Sequence, residues 1–270
     1  MEIIRLTISE RSSAMNWAIP KGSLFLIVFL SFALSSCATM SVTPEMVQQH
    51  LTVVTPDGDG RFPVVIYYQG TGGDTRRAMQ WASWFKTIGV ASAIVDNAGM
   101  RNRTRNPSGS MYTEDAAIAW DLLQANPKLD MGRFALMGFS RGGQQALGAG
   151  PHFREKRVVP RFVFALYPGG WGHGKCMSSH RKPTEVHIFF GDLDDVSRYE
   201  RVGPACRGLA KWYENVEFHE LKGATHGYDD MYSYTTECCG GRPVRVEPNP
   251  EAVERTKAII KKAIEAAWNL

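Results

Sequence analysis

The chain has 270 residues, of which 44% are hydrophobic and 21% are charged. Its 31 lysines and arginines against 27 aspartates and glutamates give a formal net charge of +4. This excess is too small to indicate a nucleic-acid-binding surface. The length fits one globular domain with a sizeable core, preceded by a short leader.

The first 36 residues are predicted to be a targeting segment, outside the folded domain. Residues 24–34 form an apolar run that follows Lys21. A transmembrane helix needs about 20 apolar residues, so this run has the length of the apolar core of a signal peptide. Met15 is an alternative start, because residues 15–36 alone have the usual signal length.

The apolar run ends in Leu34-Ser35-Ser36-Cys37, which resembles the bacterial lipobox. The resemblance implies a signal peptide over residues 1–36, lipidation of Cys37 and a tether over residues 37–50. It also implies a lipid-anchored protein of the cell envelope. Ala38 in place of aspartate favours the outer membrane, on the periplasmic side, in a Gram-negative cell. Ordinary signal cleavage near Cys37 is the alternative.

Residues 51–270 are predicted to form one α/β domain. Residues 51–55 and 63–68 are typical of a hairpin, with its turn at Asp57-Gly58-Asp59-Gly60. That turn lacks the later glutamate of a calcium loop. Strand-like and helix-like segments then alternate, which indicates a mostly parallel sheet covered by helices on both faces. The predicted helices cover residues 75–88, 113–126, 204–215 and a last helix opened by Asn249-Pro250; the predicted strands cover 90–95, 133–137, 161–167, 186–190 and 216–221.

Ser140 lies in Gly138-Phe139-Ser140-Arg141-Gly142-Gly143. The motif follows the apolar run at residues 133–137, and the small residues 142–150 after it permit a helix. Gly-x-Ser-x-Gly between a strand and a helix forms a sharp turn that exposes the serine oxygen above a sheet. Ser140 is therefore the candidate nucleophile.

A serine hydroxyl needs a base, and the base needs an orienting acid. In this kind of fold their order along the chain is serine, acid, histidine. The strand at residues 186–190 is followed by Gly191-Asp192-Leu193-Asp194-Asp195, and the strand at 216–221 by a loop that contains His226. Both loops follow the carboxyl end of a strand, where catalytic groups of open α/β sheets lie. Surface positions are predicted for His50, His152, His180 and His219, and a packed position for His187.

The segments Gly138–Gly143, Gly191–Asp195 with Pro204-Ala205-Cys206, and Gly223–Gly227 together resemble the dienelactone hydrolase-like branch of the α/β-hydrolase superfamily. The resemblance extends from about Phe62 to the C-terminal helix. It implies the α/β-hydrolase fold. It also implies that Ser140 is the nucleophile, His226 the base and Asp194 the acid. The founding enzymes use cysteine where this chain has Ser140, which points to a more general ester hydrolase. Motif position favours Asp194 over Asp195, and Asp192 comes last.

Two backbone N–H groups should bind the oxyanion of such a hydrolase. One belongs to the residue after the nucleophile, Arg141, and the other to a glycine-rich loop after an early strand. Here that loop is Gln69–Gly73, where related hydrolases often have His-Gly. Thr71 is the favoured second donor, and Gly70 is the alternative. If the loop has no role in catalysis, it is a plain glycine turn that leads into a helix.

Four cysteines follow Cys37, and an exported chain can form disulfides from them. Cys176 and Cys206 are the favoured candidates, either bonded to each other or to another cysteine. The adjacent pair Cys238-Cys239 would form a strained bond. It also lacks the spacing of a zinc site, and no Cys-x-x-Cys or His-x-x-x-His accompanies it. The sequence therefore predicts no metal and no cofactor.

The sequence as a whole predicts a serine hydrolase that cleaves carboxylic ester or lactone bonds through an acyl-enzyme. Its partners would be a small-molecule ester and, through Cys37, a membrane. Two alternatives stay open. One is a peptidase of the prolyl oligopeptidase type, without that family's propeller domain. The other is a non-catalytic envelope lipoprotein that binds a ligand on a hydrolase fold.

Overall fold

The structure is a computed structural model, and it describes residues 42–71, 73–101, 112–169, 175–238 and 241–270. The predictions for the signal segment, Met15, Cys37 and Ala38 lie outside these ranges. Within them, no helix is both long and apolar enough to cross a membrane.

A seven-stranded sheet forms the centre of the described part, with the strand order β1-β3-β2-β4-β5-β6-β7. All neighbouring strands are parallel except β1 and β3. A separate antiparallel pair, β8-β9, follows in sequence. The strands are β1 Leu51–Val54, β2 Phe62–Tyr68, β3 Ala91–Val95, β4 Leu129–Phe139, β5 Phe162–Leu166, β6 Glu185–Gly191, β7 Val216–Leu221, β8 Tyr234–Cys238 and β9 Arg242–Val246.

Helices cover both faces of this sheet, as the alternation of elements predicted. One face packs against α1, α4, α5, α6 and α7, and the other against α2 and α8. The helices are α1 Pro44–Gln49, α2 Thr75–Thr87, α3 Asn97–Met100, α4 Asp115–Leu123, α5 Arg141–Gly148, α6 Gly150–Glu155, α7 Tyr199–Trp212 and α8 Pro250–Trp268.

Strand β2 shows how both faces are filled. Its residues alternate between the two apolar clusters, with Val64 and Ile66 in one and Val65 and Tyr67 in the other. Successive side chains of a strand point to opposite faces, so a continuous apolar run is required where both faces are covered. Each fully buried aliphatic side chain contributes about 1.5–3 kcal/mol.

The predicted hairpin of residues 51–55 and 63–68 is wrong. β1 pairs antiparallel with β3, Leu51 opposite Val95, and β2 lies between β3 and β4. Residues 63–68 are all buried, so β2 needs a neighbour on each edge, and the partly exposed β1 takes the edge of the sheet.

The predicted tether over residues 37–50 is also wrong in its C-terminal part. Thr43 accepts a hydrogen bond from Met46 N and caps α1, which begins at Pro44. Val47 is fully buried in the core. A capping threonine followed by proline at the first helical position is a strong helix start, and the apolar Val47 then docks the helix on the domain.

Besides His226, three of the described histidines are buried or nearly buried, and the sequence predicted a packed position only for His187. His180 Nε2 lies 2.8 Å from the carbonyl oxygen of Ala146, so this nitrogen carries the hydrogen and donates. Burial lowers the pKa of His180, His187 and His219 to about 4 each. All three rings are therefore neutral in the folded protein at neutral pH.

We expect the free energy of unfolding to fall as the pH drops from about 6.5 towards 4. The unfolded chain binds protons at its histidines near pH 6.5, whereas the folded chain excludes them until about pH 4. Stabilisation is thus complete above pH 6.5 and is lost below it. His180→Gln keeps an N–H donor and removes one titrating ring, so it should reduce the slope by up to about 1.4 kcal/mol per pH unit. Urea unfolding at several pH values measures this, and an unchanged slope would contradict it.

Candidate active site

Ser140 lies at the sharp turn between β4 and α5, with φ 53° and ψ −119°. A positive φ at a residue other than glycine is uncommon and strained, and close packing holds it here. A Cβ on Gly138 would lie 2.1 Å from the carbonyl oxygen of Gly142, and one on Gly142 would lie 2.2 Å from that of Tyr68. Glycine at both positions lets the helix approach the strands closely enough to form the turn.

Ser140, His226 and Asp194 form a continuous chain of hydrogen bonds. Ser140 Oγ is 2.9 Å from His226 Nε2, and His226 Nδ1 is 2.8 Å from Asp194 Oδ2. An ionised carboxylate only accepts, so Nδ1 carries the hydrogen and donates it to Asp194. Nε2 of the neutral ring is then an acceptor, and the Ser140 hydroxyl donates to it. This is the protonation pattern that a general base requires.

Asp194 is the aspartate that reaches His226, in agreement with the motif position. Its side chain is fully buried, and its Oδ1 accepts a hydrogen bond of 2.8 Å from the backbone N–H of Ser197. Asp195 is exposed and faces Arg242. Asp192 accepts from Gly223 N. The structure therefore brings one of the three candidate acids into the chain.

The acid loop and the histidine loop pack directly against each other. A Cβ on Gly191 would lie 2.1 Å from the carbonyl oxygen of Ala224. Leu193 N donates to that same oxygen at 3.0 Å. Backbone hydrogen bonds between the loops fix the relative positions of Asp194 and His226, so the geometry does not depend on the side chains alone.

Tyr167 and Ser197 also contact His226, and the sequence analysis missed both. The Tyr167 ring lies edge-on to the imidazole with 4.7 Å between centroids, at a residue with φ 37°. Ser197 Oγ lies 3.3 Å from His226 Nδ1. A tyrosine after a buried strand and a serine in a loop carry no local signal of such contacts.

A buried carboxylate, Asp229, holds Tyr167 in place. The Tyr167 hydroxyl donates to Asp229 Oδ1 at 2.6 Å, and Trp81 Nε1 donates to Oδ2 at 2.7 Å. Arg77 Nε is 3.3 Å from Oδ1. Burial raises the pKa of Tyr167 well above its usual value, so the phenol remains a donor. Trp81 lies in the apolar cluster on the α2 and α8 face, and Asp229 supplies the acceptor for its indole N–H.

The candidate oxyanion donors lie on two segments beside Ser140. Arg141 begins α5 directly after Ser140. The loop after β2 passes close to it, since a Cβ on Gly70 would lie 3.6 Å from Ser140 Cβ. Gly73 N donates to Gly70 O at 3.0 Å, which closes a turn that contains the exposed Thr71. The structure thus brings both predicted donor segments close to Ser140.

Cys176 and Cys206 are joined by a disulfide, with 5.0 Å between their Cα atoms. The bond links the segment before β6 to α7. A few residues later, Ser179 and His180 both bond to carbonyl oxygens of α5. This segment therefore connects α7, which follows the acid loop, with the helix that follows Ser140. Cys239 and the side chain of Cys238 lie outside the described part.

No protein-family model matches this sequence, and comparison with curated proteins gave no match. Solved structures do match, and three are representative. The dienelactone hydrolase-like promiscuous phosphotriesterase P91 from metagenomic libraries has 16% identity and a TM-score of 0.58, covering 80% of this chain and 98% of that one. Est1E from Butyrivibrio proteoclasticus has 16% identity and a TM-score of 0.54, covering 79% and 93%.

Esterase 2 from Thermogutta terrifontis, phosphonylated by cyclosarin, has 14% identity and a TM-score of 0.61, covering 82% of this chain and 89% of that one. At such identities the similarity is one of fold. Together with the seven-stranded, mostly parallel sheet, it establishes the α/β-hydrolase fold that the sequence predicted. Function has to be argued from the site itself.

We expect Asp229→Asn to lower the free energy of unfolding by about 1–3 kcal/mol, the usual effect of leaving a buried donor without its acceptor. The amide offers one oxygen where the carboxylate offers two, and it also loses the negative charge; two hydrogen-bond donors and the Arg77 guanidinium face Asp229. Chemical denaturation measures the change. Asp195→Asn, at an exposed aspartate, is the matched control and should shift stability by no more than about 0.5 kcal/mol. Equal stability of the two variants would contradict the prediction.

Proposed function

We propose that this chain is a serine hydrolase of the dienelactone hydrolase-like type that cleaves carboxylic ester or lactone bonds. The observation that carries the proposal is the hydrogen-bond chain from Ser140 through His226 to Asp194. The tautomer of His226 that this chain implies directs the Nε2 lone pair at the Ser140 hydroxyl. A strained turn presents that hydroxyl above the sheet, where a substrate carbonyl could approach.

In the proposed mechanism, Ser140 Oγ attacks the carbonyl carbon while His226 Nε2 takes the hydroxyl proton. The resulting imidazolium is stabilised by Asp194, which holds Nδ1–H. His226 then gives the proton to the leaving alcohol, and an acyl-enzyme remains on Ser140. Water attacks this acyl group with the same histidine as base, which releases the acid and restores the serine.

The oxyanion formed in each attack would be bound by the backbone N–H of Arg141 and by that of Thr71. The position of Arg141 at the start of α5 supports the first assignment, because the N-terminus of a helix favours negative charge. The approach of the Gly70 turn to Ser140 supports the second. Backbone donors are independent of side-chain identity, so Gln69 in place of histidine leaves this function intact.

Ester hydrolysis is favoured over the two alternatives by separate observations. Among the solved structures with this fold, the Thermogutta terrifontis protein is an esterase by name, and P91 is dienelactone hydrolase-like by name. These names support an ester substrate over a peptide. A non-catalytic binding protein has no need for the tautomer and the buried acid that the Ser140 site displays.

We expect a fluorophosphonate probe to label Ser140, because an activated serine attacks phosphorus as it attacks a carbonyl. Esterase 2 from Thermogutta terrifontis is phosphonylated by cyclosarin, which is the same type of reaction. Ser140→Ala should abolish labelling and lower kcat for short p-nitrophenyl esters by about 10⁴-fold or more. Mass spectrometry of the adduct and ester kinetics measure both. A folded wild-type protein without an adduct would overturn the assignment and favour the binding protein.

A matched pair of variants tests the acid in the same assay. Asp194→Asn should lower kcat by about 10³–10⁴-fold, because the amide no longer holds the required tautomer of His226. Asp195→Asn changes the neighbouring, exposed aspartate in the same way and should leave kcat nearly unchanged. The reverse order would move the acid to Asp195. A peptide panel beside the esters separates the esterase from the peptidase.

We also propose that the protein is anchored in the cell envelope by a lipid on Cys37. The Cys176–Cys206 disulfide supports export, since disulfides persist in oxidising compartments and are rare in the cytosol. Expression in a bacterium with a radioactive fatty acid should give a labelled band that Cys37→Ala lacks. Cys176→Ala also removes one cysteine and should keep the label. Equal labelling of both variants, or of neither, would contradict a lipid on Cys37.

A further inference from the structure

The tripeptides Glu185-Val186-His187 and Glu217-Phe218-His219 occupy neighbouring parallel strands, β6 and β7. His187 is the register partner of Glu217. Residues two apart on a strand share a face, so two glutamates and two histidines lie side by side on one face of the sheet. This is the α8 face, because Phe189 of β6 packs in the same cluster as that helix.

Three donor atoms of this group approach the geometry of a metal site. His187 Nδ1 is 3.1 Å from His219 Nε2, and Glu217 Oε2 is 3.7 Å from the first nitrogen and 3.6 Å from the second. The point equidistant from the three atoms is about 2.0 Å from each, close to zinc–nitrogen and zinc–oxygen bond lengths. We propose that His187, His219 and Glu217 bind a divalent transition metal ion of the zinc class.

A second observation concerns the other nitrogen of His187. Its Nε2 is buried and has no hydrogen-bond partner among the described residues, and Glu185 Oε2 lies 4.0 Å away. With Nδ1 bound to the ion, Nε2 carries the ring hydrogen and directs it at Glu185. Metal-binding histidines usually donate their second N–H to a carboxylate or carbonyl, and the 4.0 Å distance would have to shorten for Glu185 to accept this one.

The proton balance of binding is simple. The 3.1 Å contact between the rings is an N–H···N hydrogen bond, so one hydrogen lies between them. When the ion takes its place, that hydrogen moves to the other nitrogen of its own ring. Both rings remain neutral, which is the form that binds metals, and Glu217 supplies the negative charge.

The donor set and its exposure define the ion and its role. Two imidazoles and one carboxylate suit zinc and its neighbours. Glu217 is 62% exposed, which leaves a fourth position for water. Asp194 and His226 follow the carboxyl ends of β6 and β7, whereas Glu185 and Glu217 lie near the amino ends. The ion would therefore bridge the edge strand β7 and its neighbour β6 and take no part in ester hydrolysis.

Calorimetric titration of the untagged full chain with zinc chloride, after dialysis against EDTA, tests the proposal. We expect one ion per wild-type chain and a rise in Tm of several degrees with zinc, because a ligand that binds only the folded state stabilises it. His219→Gln and Glu217→Gln should each weaken binding at least about 10-fold and lose the rise in Tm. Circular dichroism without zinc confirms that the variants are folded.

Glu214→Gln is the matched control, because it removes the same charge from an exposed glutamate three positions before Glu217, where the carboxylate pairs with Lys182. It should bind zinc as the wild type does. Absence of binding by the wild type would overturn the proposal. So would wild-type zinc affinity in both His219→Gln and Glu217→Gln, which would assign the ion to other residues, such as the cysteines at 238 and 239.

Discussion

The buried hydrogen bond between His226 and Asp194 is the contact on which the site depends. It joins two loops that belong to different strands, and the same ring reaches a third element through Ser140. An imidazole has two nitrogens, and in His226 Nδ1 faces Asp194 while Nε2 faces Ser140. The orientation of this one ring therefore requires that the ends of β4, β6 and β7 occupy fixed relative positions.

Strain and close packing supply that precision. Ser140 and Tyr167 both have positive φ values, and each contacts His226. Such backbone conformations cost about 1–3 kcal/mol each and persist only where the surroundings hold them. Here the surroundings are the glycine contacts at the elbow and the Asp229 cluster beneath Tyr167. Packing of the sheet and its helices thus offsets the unfavourable free energy of the strained backbone at the site.

Much of this could be predicted from the sequence, because it rests on local patterns. The Ser140 turn has a motif, β7 has its predicted bounds, and α8 begins at the predicted Asn249-Pro250 signal. The choice of Asp194 came from the resemblance to a family. These elements are specified by neighbouring residues, so a single sequence is enough to recognise them.

The rest depends on contacts between distant residues. β1 pairs with β3 because the buried strand β2 needs a neighbouring strand on each side. The periodicity of apolar residues does not reveal which strand has two neighbours. Asp229 contacts Trp81, 148 positions earlier in the sequence, and Tyr167, 62 positions earlier. His180 has an ordinary polar surrounding in sequence and becomes buried only because its segment folds back on α5.

The Cys176–Cys206 bond gives this segment a further consequence. The disulfide joins Cys176 to α7, the helix that follows the Asp194 loop. Ser179 and His180, a few residues after Cys176, form hydrogen bonds to α5, the helix that follows Ser140. The helices that follow Asp194 and Ser140 are thus connected through a disulfide at one end and hydrogen bonds at the other. Reduction of the disulfide would remove the covalent link to α7 and leave noncovalent contacts, among them the hydrogen bonds to α5. The relative position of the loops that contain Asp194 and Ser140 should therefore depend on the redox state of this bond.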